Sequence, residues 1–205
     1  MSTLALRLAP PRSKTTARVA FQVGCAGAGS LLIAALAQVS IPLPFTPVPI
    51  TGQTLGVLLV GAAYGPGLGV ATLVLYLMWG VVGLPVFAPN ADGSHETGAA
   101  ALRLTAPTAG YLWGFVVAAG LVGWLAQKGW DRTFASSVGA MFLGSVAIYA
   151  AGVPWLMAAA DADLETALTW GLTPFIIGDT LKLLAAAALL PGAHHVLDRV
   201  RPGGA

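Results

Sequence analysis

Two opposite charges lie close together in an otherwise apolar stretch near the end of the chain. The segment GDTLKLLAA, 178–186, holds Asp179 and Lys182 among small and aliphatic side chains. Residues three apart on a helix share a face, so this carboxylate and this ammonium can reach each other. A charge inside a membrane helix costs about 2.5 to 3.5 kcal/mol and usually marks a functional site. The pair predicts a binding site for a ligand with a donor beside an acceptor; mutual neutralisation is the alternative.

Other polar side chains lie where apolar segments begin. Thr51 and Gln53 follow a proline-rich stretch and can both donate and accept hydrogen bonds, and for Gln53 a ligand contact and a solvated loop position both stay open. Thr54 is interpreted as the N-cap of the next helix. Tyr111, one turn into a helix from the external end, is either a wall of a pocket or an aromatic residue of the membrane interface. No metal site is predicted, because His95 has no second histidine near it.

The composition identifies the class of protein that carries these residues. The chain has 205 residues, of which 57% are hydrophobic and 9% charged, and its mean hydropathy is +0.80. These values are typical of an integral membrane protein. The formal net charge of +2 argues against nucleic acid as a partner, and the single cysteine, Cys25, excludes an internal disulfide.

Apolar runs, and the proline-rich and polar segments between them, divide the chain into spans. Because a crossing needs about 20 apolar residues, we expect an all-α polytopic protein with six transmembrane helices in one domain, 1–205, with short basic tails at about 1–18 and 191–205. Four prolines should make the loop 40–53 extended and stiff. A polar loop is expected at 85–106, and a loop or short interfacial helix at 161–170. The expected spans are 19–39, 54–64, 67–84, 108–126, 134–158 and 172–190.

The basic residues predict the orientation. Lys and Arg near span ends favour the cytoplasmic side. With both termini in the cytoplasm, only Arg103 lies outside, and the loops 40–53 and 85–106 share the external side with the start of the last span. The cations then expected on the cytoplasmic side are Arg7, Arg12, Lys14, Arg18, Lys128, Arg132, Arg199 and Arg201.

Small residues recur every four positions in the first span, at Ala20, Gly24 and Ala28. Such a stripe lets another helix approach closely. Packing within the chain and contact with a partner membrane subunit are both open from the sequence alone.

Four motifs in order carry a family resemblance. They read IPLPFTPVPITGQTLGVLLVG, YLMWGVVGLPVFA, APTAGYLWGF and GDTLKLLAA, and they cover roughly residues 35 to 190. This order resembles the BioY family of biotin-specific substrate-binding (S) components of energy-coupling-factor (ECF) transporters. The resemblance implies a multi-pass protein of a prokaryotic cytoplasmic membrane, in contact with lipids, that captures biotin from outside. It further implies a coupling subunit and two ATPase subunits as partners, which use the ATP, and no cofactor in this chain.

The resemblance also gives the candidate residues roles. Asp179 would accept a ureido N–H of biotin and Lys182 would donate to its carbonyl, with Asn90 as the next candidate for the ureido head. Arg103 would meet the valerate carboxylate, although Lys182 on the carboxylate is the reverse assignment. Tyr111 and Phe87 would pack on the apolar part of biotin, under the loop 40–53 as a lid.

Three alternatives compete with this reading. An intramembrane hydrolase would need a nucleophile or a second acid near Asp179 and Lys182, and the sequence offers neither, so no enzyme is expected. A substrate-binding component for another vitamin and a structural membrane subunit without transport activity remain as the other two.

Overall fold

The computed structural model describes residues 3–10, 14–90 and 92–200, and they are almost entirely helical. Two of the expected cytoplasmic cations, Arg12 and Arg201, lie outside the described residues. In chain order the helices are α1 (Leu4–Leu8), α2 (Thr15–Gln38), α3 (Gln53–Val81), α4 (Ala109–Gln127), α5 (Phe134–Ala160), α6 (Leu164–Gly171) and α7 (Ile176–Val200), with 3-10 turns at Gly98–Leu102 and Thr173–Phe175.

Five stretches of the described chain are long and apolar enough to cross a membrane. They are Thr15–Gln38, Gln53–Val81, Ala109–Gln127, Phe134–Ala160 and Leu164–Arg199. Helices α2 to α5 are hydrophobic around most of their circumference, as expected for helices that face lipid on one side and neighbours on the other, whereas the last stretch joins α6, a 3-10 turn and α7. The described chain is therefore a bundle of membrane-type helices.

Helix α3 reverses direction at Gly65. This glycine has φ +80° and ψ 175°, a conformation that is essentially restricted to glycine, and Pro66 follows it. In a straight helix Gln53 and Tyr76 would be about 35 Å apart, yet their side chains are joined by a hydrogen bond of 2.7 Å. Two arms, 53–64 and 66–81, therefore lie side by side where the sequence predicted separate spans at 54–64 and 67–84.

Helix α4 is the centre of the bundle, between α3 and α5. A Cβ atom built on Gly123 would lie 2.5 Å from the Gly65 carbonyl carbon, and one built on Gly114 would lie 3.0 Å from the Ile148 Cα. Ala119 packs in the same way against Gly61. Small residues thus bring three helix backbones together, as is common in membrane bundles.

The proline-rich segment forms a narrow ribbon at its ends. The strands β1 (Ser40–Ile41) and β2 (Ile50–Thr51) pair antiparallel, with Ser40 opposite Thr51. The Gly52 amide donates to the carbonyls of Leu36 and Val39, which fixes the base of the ribbon to the end of α2. Residues 42–49 therefore project as a loop from a fixed base. The backbone is extended only at the two ends of the expected connection, and between them it reverses through a turn at 44–45.

Both predicted tails are partly helical. Helix α1 lies inside the first tail and α2 begins at Thr15, while α7 continues through Pro191 to Val200. In α7 the helix continues past Pro191 because tertiary contacts of the following residues offset the one backbone hydrogen bond that a proline removes. His194, three residues after Pro191, is 3% exposed and lies against Asp131, which is 1% exposed.

The buried Asp131–His194 pair joins α7 to the turn between α4 and α5. The Nδ1 atom of His194 faces Arg7, a side chain with donors only, at 3.5 Å, so the proton belongs on Nε2, which donates to Asp131 Oδ2 at 2.6 Å. Arg7 also forms an ion pair with Asp198. This group of side chains holds the N-terminal helix, the α4–α5 turn and the end of α7 together.

We predict that Asp131→Ala destabilises the protein strongly. The change leaves the buried His194 N–H without its acceptor, and losing a hydrogen bond to a buried charged group costs about 1.5 to 3 kcal/mol. Thermal unfolding of the detergent-purified protein should show a clearly lower midpoint. Asp161→Asn is the control, because Asp161 is exposed with φ 49°, a conformation that Asn also adopts readily. Equal midpoints for Asp131→Ala and wild type would contradict the assignment.

Candidate functional site

A cavity of about 290 Å³ lies at the end of the bundle where α3 and α4 begin. Its walls are mainly apolar, and a few polar side chains converge on it, which is the usual composition of a small-molecule site. The apolar lining residues are Pro42, Leu43, Pro47, Val48, Pro49, Phe87, Ala88, Pro89, Ala101, Pro107, Leu112, Phe115, Ile148 and Phe175.

The polar centre of the cavity is the Asp179 carboxylate. Its Oδ1 accepts hydrogen bonds from Lys182 Nζ at 2.7 Å and from Thr54 Oγ1 at 3.1 Å, and its Oδ2 accepts from the Tyr149 hydroxyl at 2.5 Å. Asp179 is 8% exposed. A buried charge needs such partners, since desolvation otherwise costs several kcal/mol. The carboxylate therefore ties α3, α5 and α7 together at one point.

Tyr111 fixes the position of Tyr149. Its ring meets the Tyr149 ring edge to face, with 6.2 Å between centroids and 87° between planes, and its hydroxyl donates to the Gly171 carbonyl at 2.9 Å. Gly152 leaves room for the Tyr111 ring, because a Cβ atom there would lie 2.4 Å from it. The two tyrosines form one wall of the cavity and hold the Asp179 partner in place.

A second hydrogen-bonded chain supports the base of the ribbon. The Thr51 hydroxyl donates to Gln53 Oε1 at 2.9 Å, and Gln53 Nε2 donates to the Tyr76 hydroxyl at 2.7 Å. Tyr76 in turn donates to the Val86 carbonyl at 3.0 Å. Gln53 is only 5% exposed, so a solvated loop position is excluded. Its amide connects β2 to both arms of α3, and the Tyr76 hydroxyl extends this connection to the segment after α3.

The segment after α3 closes another side of the cavity. Phe87 packs edge to face on Tyr76, with 5.4 Å between centroids, and its carbonyl lies 2.9 Å from His95 Nδ1. Asn90 is exposed at the mouth, where its amide donates to Ser94 Oγ at 3.1 Å. The Ser94 hydroxyl and backbone N–H both bond to Asp92, which lowers the pKa of that carboxyl below its ordinary value.

The loop 42–49 covers the cavity and is anchored on its far side. The Thr46 hydroxyl donates to the Trp170 carbonyl at the end of α6, at 2.8 Å, and accepts from the Val48 N–H at 3.1 Å. Both Thr46 and Trp170 are half-buried. The geometry is that of a lid, with a fixed hinge at the ribbon and a hydrogen-bonded tip.

The structure brings together seven of the eight predicted ligand-contacting residues. Arg103 follows the 3-10 turn, is exposed and does not line the cavity, so among the described lining residues Lys182 is the one cation. The seven that line the cavity are Thr51, Gln53, Phe87, Asn90, Tyr111, Asp179 and Lys182.

Sequence reasoning missed the two side chains that bond to Asp179 besides Lys182. The N-cap interpretation of Thr54 is wrong, because Gly52 precedes the first helical residue and the Thr54 hydroxyl bonds to Asp179 instead. Tyr149 was not singled out, although a tyrosine in the middle of an apolar helix needs a partner for its hydroxyl. Glu96 also lines the mouth. Within the described residues, no group of three His, Cys, Asp or Glu side chains is placed to hold a metal.

The predicted partner-binding residues lie away from the cavity. Ala20, Gly24 and Ala28 are all exposed on α2, whose packed side consists of Gly29, Ser30, Ile33 and Ala37. A Cβ atom on Gly24 would meet nothing within 4 Å among the described residues. The stripe is therefore not used for packing within the described chain.

Comparison with known proteins gives one consistent result. A sequence profile described as the BioY family matches residues 12–199. The "Biotin transporter BioY" of Thermotoga maritima is 36% identical over 164 residues, covering 80% of this chain and 90% of that protein. The protein of the same name from Rhizobium etli is 33% identical over 156 residues, with 73% and 79% covered.

A solved structure has the same fold. It is a crystal structure of the S-component for biotin from an ECF-type ABC transporter, with a TM-score of 0.75 and 23% sequence identity. The match covers 91% of this chain and 95% of that chain.

We predict that Gly152→Ala distorts the tyrosine wall. The added methyl group would overlap the Tyr111 ring, and overpacking of this kind costs about 1 to 3 kcal/mol, so the midpoint of thermal unfolding should fall. Gly67→Ala is the matched control, because a Cβ atom there meets nothing within 4 Å among the described residues. An unchanged midpoint for Gly152→Ala would show that Tyr111 is not held as described.

Proposed function

This chain belongs to the BioY family, and we propose that it captures biotin and serves its uptake as the substrate-binding component of an ECF-type transporter. It is a membrane transport protein and not an enzyme. The observation that carries the proposal is the pair of buried Asp179 and half-buried Lys182 in the wall of an apolar cavity of about 290 Å³.

The chemistry of biotin suits this cavity. One edge of its ureido ring presents an N–H beside a carbonyl, so Asp179 would accept the N–H and Lys182 would donate to the carbonyl. Tyr111 and Phe87 supply aromatic surface for the thioether ring and the alkyl chain. Asn90 also lines this cavity, at its mouth, and remains the next candidate to contact the ureido group. Because Lys182 is hydrogen-bonded to Asp179, an N–H beside a carbonyl would meet both side chains at once, which favours the ureido group for Lys182. With Arg103 away from the lining, the valerate carboxylate is left without a cation of its own among the described lining residues.

We further propose six crossings with both termini in the cytoplasm of a prokaryote. The reversal at Gly65 supports this count, since it divides α3 into two arms. Protein covers the turn between the arms, since Gly65 is buried and lies against Thr3 and Gln127. Six described cations were predicted on the cytoplasmic side, at residues 7, 14, 18, 128, 132 and 199. They lie in α1, at helix ends or in the α4–α5 turn, and none of the six lines the cavity.

The exposed stripe on α2 is proposed as the docking surface for the coupling subunit. Ala20, Gly24 and Ala28 allow a partner helix to approach closely, and they are exposed on α2. ATP would be used by two partner ATPase subunits, and this chain would hold biotin while they act.

We predict that the purified protein binds labelled biotin and that Asp179→Asn and Lys182→Met weaken this binding. Each change removes a charged hydrogen-bond partner, which is worth about 1.5 to 3 kcal/mol, or about 10- to 150-fold in affinity. Equilibrium binding in detergent measures the effect.

Lys128→Met is the control for charge removal, because Lys128 lies at the other end of α4, over the Trp124 ring. Its affinity should equal that of the wild type. Unchanged binding in both site variants would overturn the site, and a wild-type protein that binds another vitamin but not biotin would overturn the substrate.

We also predict that Gly24→Leu and Ala28→Leu block uptake while leaving biotin binding intact. A bulky side chain on the stripe keeps a partner helix at a distance without touching the cavity. Uptake of labelled biotin by auxotrophic bacteria that carry a coupling module should fall at least about 10-fold, as an order of magnitude for a lost small-residue contact. Ala188→Leu, on the exposed side of α7, is the matched control. Normal uptake with Gly24→Leu and Ala28→Leu would rule out this docking surface.

A further inference from the structure

The Asp179 carboxylate has little acceptor capacity left. A carboxylate offers about four lone-pair directions, two on each oxygen. Lys182 and Thr54 occupy Oδ1, and Tyr149 occupies one direction on Oδ2. The described hydrogen bonds therefore leave one lone-pair direction unoccupied, and it is on Oδ2, the oxygen that also accepts from Tyr149.

Tyr149 is not placed to do anything else with its hydroxyl proton. A phenol has one O–H donor, and here it points at Asp179 Oδ2. The edge of its ring is fixed by Tyr111, whose own hydroxyl is committed to the Gly171 carbonyl. The donor that sets the orientation of the carboxylate is therefore itself held by a second, independent contact.

We infer that Tyr149 is a positioning residue that limits Asp179 to one ligand N–H, accepted by Oδ2, while Lys182 binds the adjacent carbonyl. This inference rests on the proposed function and adds to it. The site then recognises one edge of the cyclic urea, with its single N–H and its carbonyl, and the second N–H of the ring does not bind Asp179. Without the Tyr149 hydroxyl the carboxylate gains a second free direction on Oδ2 and loses the contact that orients it.

Biotin analogues methylated on one or the other ureido nitrogen test this reading. The wild-type protein should bind one N-methyl isomer about 10- to 100-fold more weakly than biotin, since a charged hydrogen bond is lost, and should discriminate less against the other isomer. Tyr149→Phe should weaken biotin by a similar factor. For the disfavoured isomer, which cannot make the Asp179 contact, the same substitution should have little effect.

The ratio of the affinities for the two N-methyl isomers shows whether Tyr149 positions Asp179 or only packs in the cavity wall. If Tyr149→Phe weakens biotin and both isomers by one common factor, the hydroxyl only supports the cavity wall and the inference is wrong. Equal affinity of both isomers for the wild type would also overturn it. Tyr64→Phe is the matched control, because Tyr64 lies away from the cavity, and it should keep wild-type affinities for all three ligands.

Thr54→Val provides a second variant if Tyr149→Phe does not fold. It removes a donor from Oδ1 and leaves Oδ2 as it is, so biotin should bind more weakly while the preference between the two isomers persists. Loss of that preference would count against Oδ2 as the acceptor. A wild-type protein that does not bind biotin at all would remove the proposed function and this inference with it, whereas biotin binding unaffected by Tyr149→Phe would remove only the inference.

Discussion

A charged pair inside an apolar helix must find partners before the helix can sit in a membrane, and this constraint organises the binding end of the molecule. Asp179 and Lys182 would each cost a few kcal/mol if they faced lipid. They neutralise each other along α7, and two further donors, Thr54 and Tyr149, come from α3 and α5. Three helices are therefore drawn to one carboxylate. The cavity lies beside that point, where a ligand can share the remaining hydrogen-bonding capacity of the pair.

The reversal at Gly65 makes this convergence possible. It brings the two arms of α3 together, so that the first residues of the helix lie at the cavity while the turn itself lies at the opposite end of the bundle. The turn can be buried because Gly123 of α4 has no side chain to block it. The same arrangement places Gln53 against Tyr76, which fixes the hinge of the lid. Backbone geometry at one end thus determines which side chains meet at the other.

Local sequence patterns predicted those parts of the site that depend on residues close together in the chain. Asp179 and Lys182 stand out because charges are expensive in an apolar run, and the lid stands out because its prolines exclude a helix. Thr54 could not be predicted correctly, since the capping rule looks only at neighbours along the chain and its hydroxyl is used by a residue 125 positions away. Tyr149 lies 30 residues from Asp179, and their contact depends on how α5 and α7 cross. Arg103 was assigned as the only external cation, but the path of its loop takes it away from the cavity.

Helix α7 carries both the carboxylate that lines the cavity, Asp179, and the buried His194, about 22 Å apart along its axis. At one end His194 is bound to Asp131, and at the other Asp179 is bound to side chains of α3 and α5. Both contacts are hydrogen bonds to a buried carboxylate, each worth about 1.5 to 3 kcal/mol. The tip of the lid is held differently, by a neutral hydrogen bond from Thr46 to the Trp170 carbonyl between half-buried groups. A neutral bond of this kind contributes only about 0.5 to 1.5 kcal/mol. The contacts that hold the two ends of α7 are therefore stronger than the one that holds the tip of the loop 42–49.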